Sequence, residues 1–198
     1  MGLELEYING QTLLDEDEKA GLKIQTITTR KELDEFEQFN IQKAVEWSLS
    51  RKLKIRTILT EKFIKDLHKR MFFEVWEWAG EFRKSNKNIG VDKFLICVEL
   101  KNLIDDCNYW ITNKTFSKDE IAVRFSHRIV KIHLFSNGNG RHSRLIADIL
   151  INRGFEEEIF SWGSTNLTNK SEVRSRYLDA LHNADNNDYS LLLKFARE

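Results

Sequence analysis

The sequence predicts a mostly α, single-domain protein, and three observations carry that expectation. Proline is absent from all 198 residues, glycine numbers only nine, and long segments place apolar residues at helical spacing while period-two alternation is sparse. A chain of this length suffices for one domain with a substantial core. The hydrophobic fraction of 41% and charged fraction of 31% fit an ordinary globular protein. A formal net charge of zero argues against a whole-chain basic footprint for nucleic acid. No stretch approaches the roughly 20 consecutive apolar residues of a membrane span, and residues 1–4 lack the basic-then-apolar pattern of a secretory signal. A cytoplasmic location without a membrane partner is therefore expected. Cys97 and Cys107 are too few and wrongly spaced for a disulfide framework or a zinc site, and read as buried free thiols.

Taken in chain order, residues 1–29 read as an N-terminal arm whose acidic stretch, residues 15–18, is solvated. Thr29-Arg30-Lys31-Glu32 has capping-box form and opens a helix to about residue 50, with Leu33, Phe36, Phe39, Ile41 and Ala44 as core candidates. A second helix starts near Thr60 and runs through Phe63, Ile64, Leu67 and Met71 into Phe72, Val75 and Trp76, a pattern too apolar for a surface helix. Gly80 interrupts it. Residues 84–90 are turn-rich and lie between Phe82 and the short apolar run 94–98, which makes them the best hairpin candidate in the chain. Helical periodicity returns over residues 99–110, and again from the capping sequence Ser117-Lys118-Asp119-Glu120 through Ile121, Phe125, Ile129 and Ile132. Further helices are expected over residues 139–152, stopped by Gly154, over residues 171–183, and at the C-terminus.

Between two of these helices lies His133-Leu134-Phe135-Ser136-Asn137-Gly138-Asn139-Gly140-Arg141-His142-Ser143-Arg144. Gly138 and Gly140 let backbone approach a ligand closely, and successive N–H groups entering a helix form a concave anion site reinforced by the helix dipole. Arg141 and Arg144 lie three apart and project from one side of the first turn, each with a fork suited to phosphate oxygens. A polyphosphate is the natural occupant. His133, at the end of the preceding helix, is placed to accept a proton from an incoming hydroxyl near physiological pH. A lone histidine there would read as a hydrogen-bonded helix end, and lone arginines as a solvated first turn. Their combination, a base beside an electrophile, is not cheaply explained that way. Phe135 reads as a core plug beneath the loop.

This stretch resembles the Fic motif, His-x-Phe-x-(Asp or Glu)-Gly-Asn-Gly-Arg-x-x-Arg, at every position but one. The likeness extends to residues 76–83, similar to the segment before the family's flap hairpin, and to residues 174–185 with Asp188, similar to its closing helix. It covers residues 30–196 and is most similar to the small Fic proteins labelled mobile mystery protein B. The resemblance implies a single-domain Fic-type helical bundle with a small β-hairpin flap, the catalytic domain spanning residues 30–198. It also implies an adenylyltransferase: His133 deprotonates a Ser, Thr or Tyr hydroxyl of a target protein, the oxygen attacks the α-phosphate of ATP, and pyrophosphate leaves. Gly138, Asn139 and Gly140 then line the anion hole, Arg141 holds the β-phosphate region and Arg144 the γ-phosphate. Asn88, Ile89 and Gly90 lie in the flap, residues 84–94, which docks target backbone as an edge strand. Tyr177 and Leu181 fall at the nucleotide end, where helix packing is the competing reading. Mg²⁺ or Mn²⁺ is the implied cofactor. Asn137 stands where the family carries the Asp or Glu that helps hold this metal, and a neutral amide oxygen implies weaker binding.

The same resemblance brings an inhibitory motif, (Ser or Thr)-x-x-x-Glu-(Gly or Asn), whose glutamate pairs with the final motif arginine. No clean copy exists here. The nearest is residues 33–40, in which Glu37 would reach Arg144, with a solvent-facing acid as the competing reading. Thr168 and Glu172 have the same spacing but read as an ordinary helix start. Two further readings compete: a weakened nucleotide-binding sensor, marked by Asn137, and transfer of a different phosphate-linked group such as UMP, phosphocholine or phosphate. Retention of His133 counts against the first, and Gly138-Asn139-Gly140-Arg141 against the second. The basic cluster Arg51, Lys52, Lys54 and Arg56 has balancing acidic surroundings, so no nucleic-acid partner is expected. Regulation by a separate antitoxin, or by self-inhibition, follows from family analogy.

Overall fold

The computed structural model describes residues 12–163 and 170–198; residues 1–11 of the N-terminal arm and the helix start at Thr168 lie outside the described residues. The helices are α1 Glu16–Ala20, α2 Arg30–Leu49, α3 Ile55–Ile58, α4 Glu61–Phe72, α5 Ile96–Asn113, α6 Lys118–Ile132, α7 Asn139–Ile149, α8 Lys170–Asp185 and α9 Ser190–Arg197. A 3-10 turn, Lys93–Leu95, precedes α5, and a π turn, Leu150–Gly154, follows α7. The mostly α expectation holds. Extended backbone pairs among the described residues at a single bridge, Leu22 with Trp76. No described helix is long and apolar enough to cross a membrane.

The helix starts follow their sequence signals. Both halves of the Thr29/Glu32 capping box are made, and the Thr60 and Ser117 hydroxyls accept from the N–H groups three residues on. Each satisfies a donor that the first helical turn leaves without a partner. Helix α6 packs between α5 and α7, α2 lies along α4, and α8 pairs with α9. The centre is filled by Ile64, Leu67, Met71 and Phe72 from α4 and by Phe125, Ile129, Phe135, Ile146 and Leu150 from the α6–α7 unit, all at most 1% exposed. Burying each such side chain contributes about 1.5–3 kcal/mol relative to leaving it in water.

Three expectations are corrected, and a fourth in part. The buried face of α2 runs through Leu33, Glu37, Asn40, Ile41, Ala44 and Ser48, while Phe36 and Phe39 are 45% and 57% exposed. Two polar residues take the inward places because they have partners there. Asn40 donates to Arg70 O (3.2 Å) and accepts from Glu74 N (3.1 Å), closing the C-terminal end of α4, where carbonyls lack helical partners. The expected hairpin carries no strand ladder: residues 94–98 form the 3-10 turn and the start of α5. Asp92 caps this start by accepting from Phe94 N (2.9 Å), and Ile96, Leu100, Leu103 and Cys107 turn inward at helical spacing. Cys97 consequently faces out, so only Cys107 is a buried thiol. Residues 15–17 are exposed as expected, but the stretch is not a free arm. They begin α1 with a capping box on Asp15, and Asp15 and Glu18 both engage Lys87 of the 84–91 loop.

Replacing Asn40 with Ala leaves the Glu74 N–H and Arg70 carbonyl without this partner and is expected to lower stability by about 1–3 kcal/mol. Phe36→Ala, on the exposed side, should stay within about 0.5 kcal/mol of wild type. Urea unfolding of both variants checks the assignment, and a larger loss for Phe36→Ala would contradict this placement of α2.

Candidate active site

The turn between α6 and α7 is held in a conformation that its residues would not choose alone. His133 ends α6 in the left-handed region, φ 60 and ψ 64, a strained place for a residue with a Cβ. Arg83 fixes it there: its Nε donates to His133 O at 2.6 Å, and its backbone N–H donates to Leu134 O at 3.0 Å. His68 of α4 pins the other side of the turn. Gly80 N donates to His68 Nδ1 (3.0 Å), so the ring proton sits on Nε2, which donates to Asn137 O at 3.0 Å. The imidazole stacks on Phe135 with centroids 3.7 Å apart. Asn139 brackets Phe135 from the far side, accepting from its N–H (3.0 Å) and donating to its carbonyl (2.7 Å). Gly138 precedes α7 at φ 77, and a Cβ there would lie 2.5 Å from the Phe72 ring.

This turn opens on a cavity of about 1050 Å³. His133, residues 137–141 and Arg144 form its floor, with Arg30, Asp34 and Gln38 from α2, Arg174, Tyr177 and Leu181 from α8, and Ile89, Gly90, Val91 and Thr12 at the edges. Helix α7 has no side-chain cap, so its first N–H groups and the positive end of its dipole face this space. The space beside Gly140 is open, with nothing within 4 Å of a Cβ built there. Four guanidinium groups converge on the cavity. Burial pushes the Arg174 pKa down, and Arg144, Arg30 and Arg141 push it further in the same direction. In a chain of zero net charge, this is a local concentration of positive potential suited to a polyanion.

The structure brings His133, Asn137, Gly138, Asn139, Gly140, Arg141, Arg144 and Tyr177 to this one cavity. Their individual settings differ from the sequence picture. His133 Nε2 lies 2.9 Å from the Thr12 hydroxyl. Burial, helped by the Arg83 charge, lowers the His133 pKa to about 4, so the imidazole is neutral at physiological pH. The two arginines do not run side by side. Arg144 lies over the Tyr177 ring, 4.8 Å from its centroid, whereas Arg141 lies over Phe72 and pairs with Glu37 at 2.5 Å. Glu37 therefore meets Arg141 and not Arg144, and it is buried rather than solvent-facing. Its other oxygen accepts from Trp76 Nε1 at 2.6 Å, which fixes the carboxylate from the α4 side. The Tyr177 hydroxyl is buried without a protein partner.

Asn139 turns its side chain into the loop, leaving its backbone for a ligand. Asn137 Oδ1 accepts from Gly138 N at 2.6 Å, and the described residues contain no group of three or more His, Cys, Asp or Glu side chains placed to hold a metal ion. One neutral amide oxygen, already engaged, does not fit a protein-held Mg²⁺ site. In the 84–91 loop, Asn88 and Ile89 are exposed, and Gly90 passes so near His133 that a Cβ would fall 2.5 Å from its Cβ. Sequence reasoning missed His68, Arg83 and Thr12. Arg83 lay within the family-like segment 76–83, but nothing local marked its contacts 50 residues away.

The fold is that of solved Fic domains, and residues 58–151 match the Fic/DOC family profile. That match spans just under half of the chain. The chain is 29% identical over 120 residues to the protein adenylyltransferase Fic of Aedes aegypti, a match covering 59% of this chain and 22% of that much longer protein. Among solved structures, the N-terminal Fic domain of Bep8 from Bartonella sp. 1-1C superposes with a TM-score of 0.68 at 16% identity, over 90% of each chain. BepC of Bartonella tribocorum, solved with bound AMPPNP, gives 0.67 at 18% identity over 92% of this chain and 97% of its own. Fic-1 of C. elegans gives 0.67 at 20% identity over 90% and 51%. These structures share the fold.

The buried imidazoles make stability depend on pH. Burial lowers the pKa of His68 well below its usual value and that of His133 and His142 to about 4, whereas unfolded histidine titrates near about 6.5. Below that pH the unfolded chain binds more protons than the folded one. The stabilisation is therefore complete above about 6.5 and is lost as pH falls toward 4. Asp148, which burial raises to about 7, offsets one of these protons. The expected result is an unfolding midpoint in urea that falls steadily between pH 7 and pH 5, with a net slope of up to about two protons, each worth about 1.4 kcal/mol per pH unit. A midpoint that rises on acidification would contradict it.

Proposed function

We propose that the chain is a nucleotidyltransferase that moves AMP from ATP onto a hydroxyl of a protein. The observation that carries this reading is the convergence of a neutral, buried imidazole and the uncapped, arginine-ringed start of α7 on one cavity. The acceptor hydroxyl gives its proton to His133 Nε2 as its oxygen bonds to the α-phosphorus. The bond from that phosphorus to the bridging oxygen of the β-phosphate breaks, and pyrophosphate leaves. The N–H groups of Asn139 and Gly140 face the phosphates, and Arg141 and Arg144 stabilise the charge that gathers on the leaving group. Trp162, Leu178 and Leu181 supply an apolar wall for the nucleoside end, where the Tyr177 hydroxyl has a hydrogen bond to give. Ile89 and Gly90 offer backbone beside the base for an extended target segment. Asn137 does not fit the part of a metal ligand, and the positive charge that the phosphates meet comes from the arginines.

His133→Ala is expected to reduce incorporation of α-labelled ATP by about 10²–10⁴-fold, the usual contribution of a general base. With the base titrating at about 4, the wild-type rate should stay level from neutral pH down to about 5 and fall only below it. A descending limb centred near 6.5 would exclude His133 as the base in this environment.

Glu37 restrains the site in this reading. Paired with Glu37, Arg141 is drawn toward α2 and has less charge to offer a phosphate. Glu37→Gln keeps an oxygen for Trp76 Nε1 but removes the ion pair, and Glu37→Gly removes both. Both variants are expected to label faster than wild type, with Glu37→Gln the more stable protein, as read by label incorporation and urea unfolding. Unchanged labelling in both would remove Glu37 from this role.

A further inference from the structure

The base already holds a hydroxyl. Thr12 Oγ1 lies 2.9 Å from His133 Nε2, and both groups are buried. Thr12 lines the same cavity as Gly138, Gly140, Arg141 and Arg144, so this hydroxyl and the anion site share one space. The contact is built, because the segment carrying Thr12 is anchored on its C-terminal side by three groups. Leu14 is buried in the core at 6% exposure. Asp15 accepts from Ser85 Oγ at 2.8 Å. Lys87, its side chain only 5% exposed, pairs with both Asp15 and Glu18. Ser85 and Lys87 belong to the 84–91 loop, the one that passes beside His133. The chain's own N-terminal segment thus lies where an acceptor protein would present a side chain.

We infer that Thr12 is an acceptor for the chain's own transfer reaction, a self-modification site that receives AMP within the same molecule. This rests on the transferase reading above. With the ring proton on Nδ1, the His133 Nε2 lone pair accepts the Thr12 proton. Thr12 Oγ1 bonds to the α-phosphorus of ATP, the bond to the bridging oxygen of the β-phosphate breaks, and pyrophosphate departs with the electron pair. The products are one phosphodiester-linked AMP on Thr12 and one pyrophosphate. The group that pointed at the base is then consumed, so each molecule reacts once at this position.

The test uses the full chain with α-labelled ATP, followed by intact mass, peptide mapping and pyrophosphate release across a dilution series. Wild type should gain one AMP on the peptide containing Thr12, with a first-order rate independent of protein concentration. Thr12→Ser, which keeps a hydroxyl, should label at the same place. Thr12→Val, which keeps the side-chain shape and whose unfolding midpoint reports any loss of fold, should fall to the His133→Ala background at this peptide. Label on another residue, label in Thr12→Val equal to wild type, or a rate that rises with protein concentration would each overturn the inference. Pyrophosphate release without label on Thr12 would overturn it while leaving the transferase reading standing. No release and no label would remove both.

Discussion

A single buried guanidinium holds the site together. Arg83 is 3% exposed, and among the described residues no carboxylate comes within ion-pair distance of it. Burying an unpaired charge is costly unless hydrogen bonds replace its hydration. Here backbone oxygens do so: His133 O for Nε, Ser85 O for Nη1 and Val91 O for Nη2. Burial accordingly lowers the Arg83 pKa, while Asp92 and Glu18 at longer range pull it back up. The planar fork suits such a role, since five donors in fixed directions can reach separate segments at once. Lysine, with one compact ammonium, could not bridge the same set. The end of α6, the 84–91 loop and, through Lys87, the N-terminal segment are all referred to this one side chain.

That arrangement accounts for the electrostatic character of the site. The Arg83 charge sits against the backbone of His133, and it adds to burial in keeping that imidazole neutral. On the opposite side of the turn His68 is neutral for the same reason, desolvation, with His142 and Arg141 acting in the same direction. The two histidines differ in use. His68 is saturated, accepting from Gly80 and donating to Asn137, whereas His133 keeps Nε2 directed at the cavity, and its ring is held from behind by the Val130 backbone.

Much of this was legible in the sequence because it is local. The motif from His133 to Arg144, the helix caps at Thr29, Thr60 and Ser117, and the apolar stripe of α4 each declare themselves within one or two turns of chain. What escaped notice depends on partners far away in sequence. Phe36 and Phe39 look like core residues by hydrophobicity alone, and Glu37 and Asn40 look like surface. Only the indole of Trp76, the guanidinium of Arg141 and the open end of α4 reverse that order. The expected hairpin failed for a related reason: residues 94–98 are apolar enough for a strand, but the Asp92 cap and the inward spacing of Ile96, Leu100 and Leu103 favour helix. The acidic segment at residues 15–17 is exposed as its charge suggests, but the pairing of Asp15 and Glu18 with Lys87 lay some 70 residues away.

Gly140 separates what the fold requires from what the ligand requires. Unlike Gly138 and Gly90, it has an ordinary helical backbone and no neighbour that a methyl group would strike. In a helix glycine is less favourable than alanine by about 0.8–1.0 kcal/mol, so the bare scaffold would be firmer with a side chain at this position. In the transferase reading, the open space beside Gly140 lets a phosphate approach the main chain without meeting a side chain.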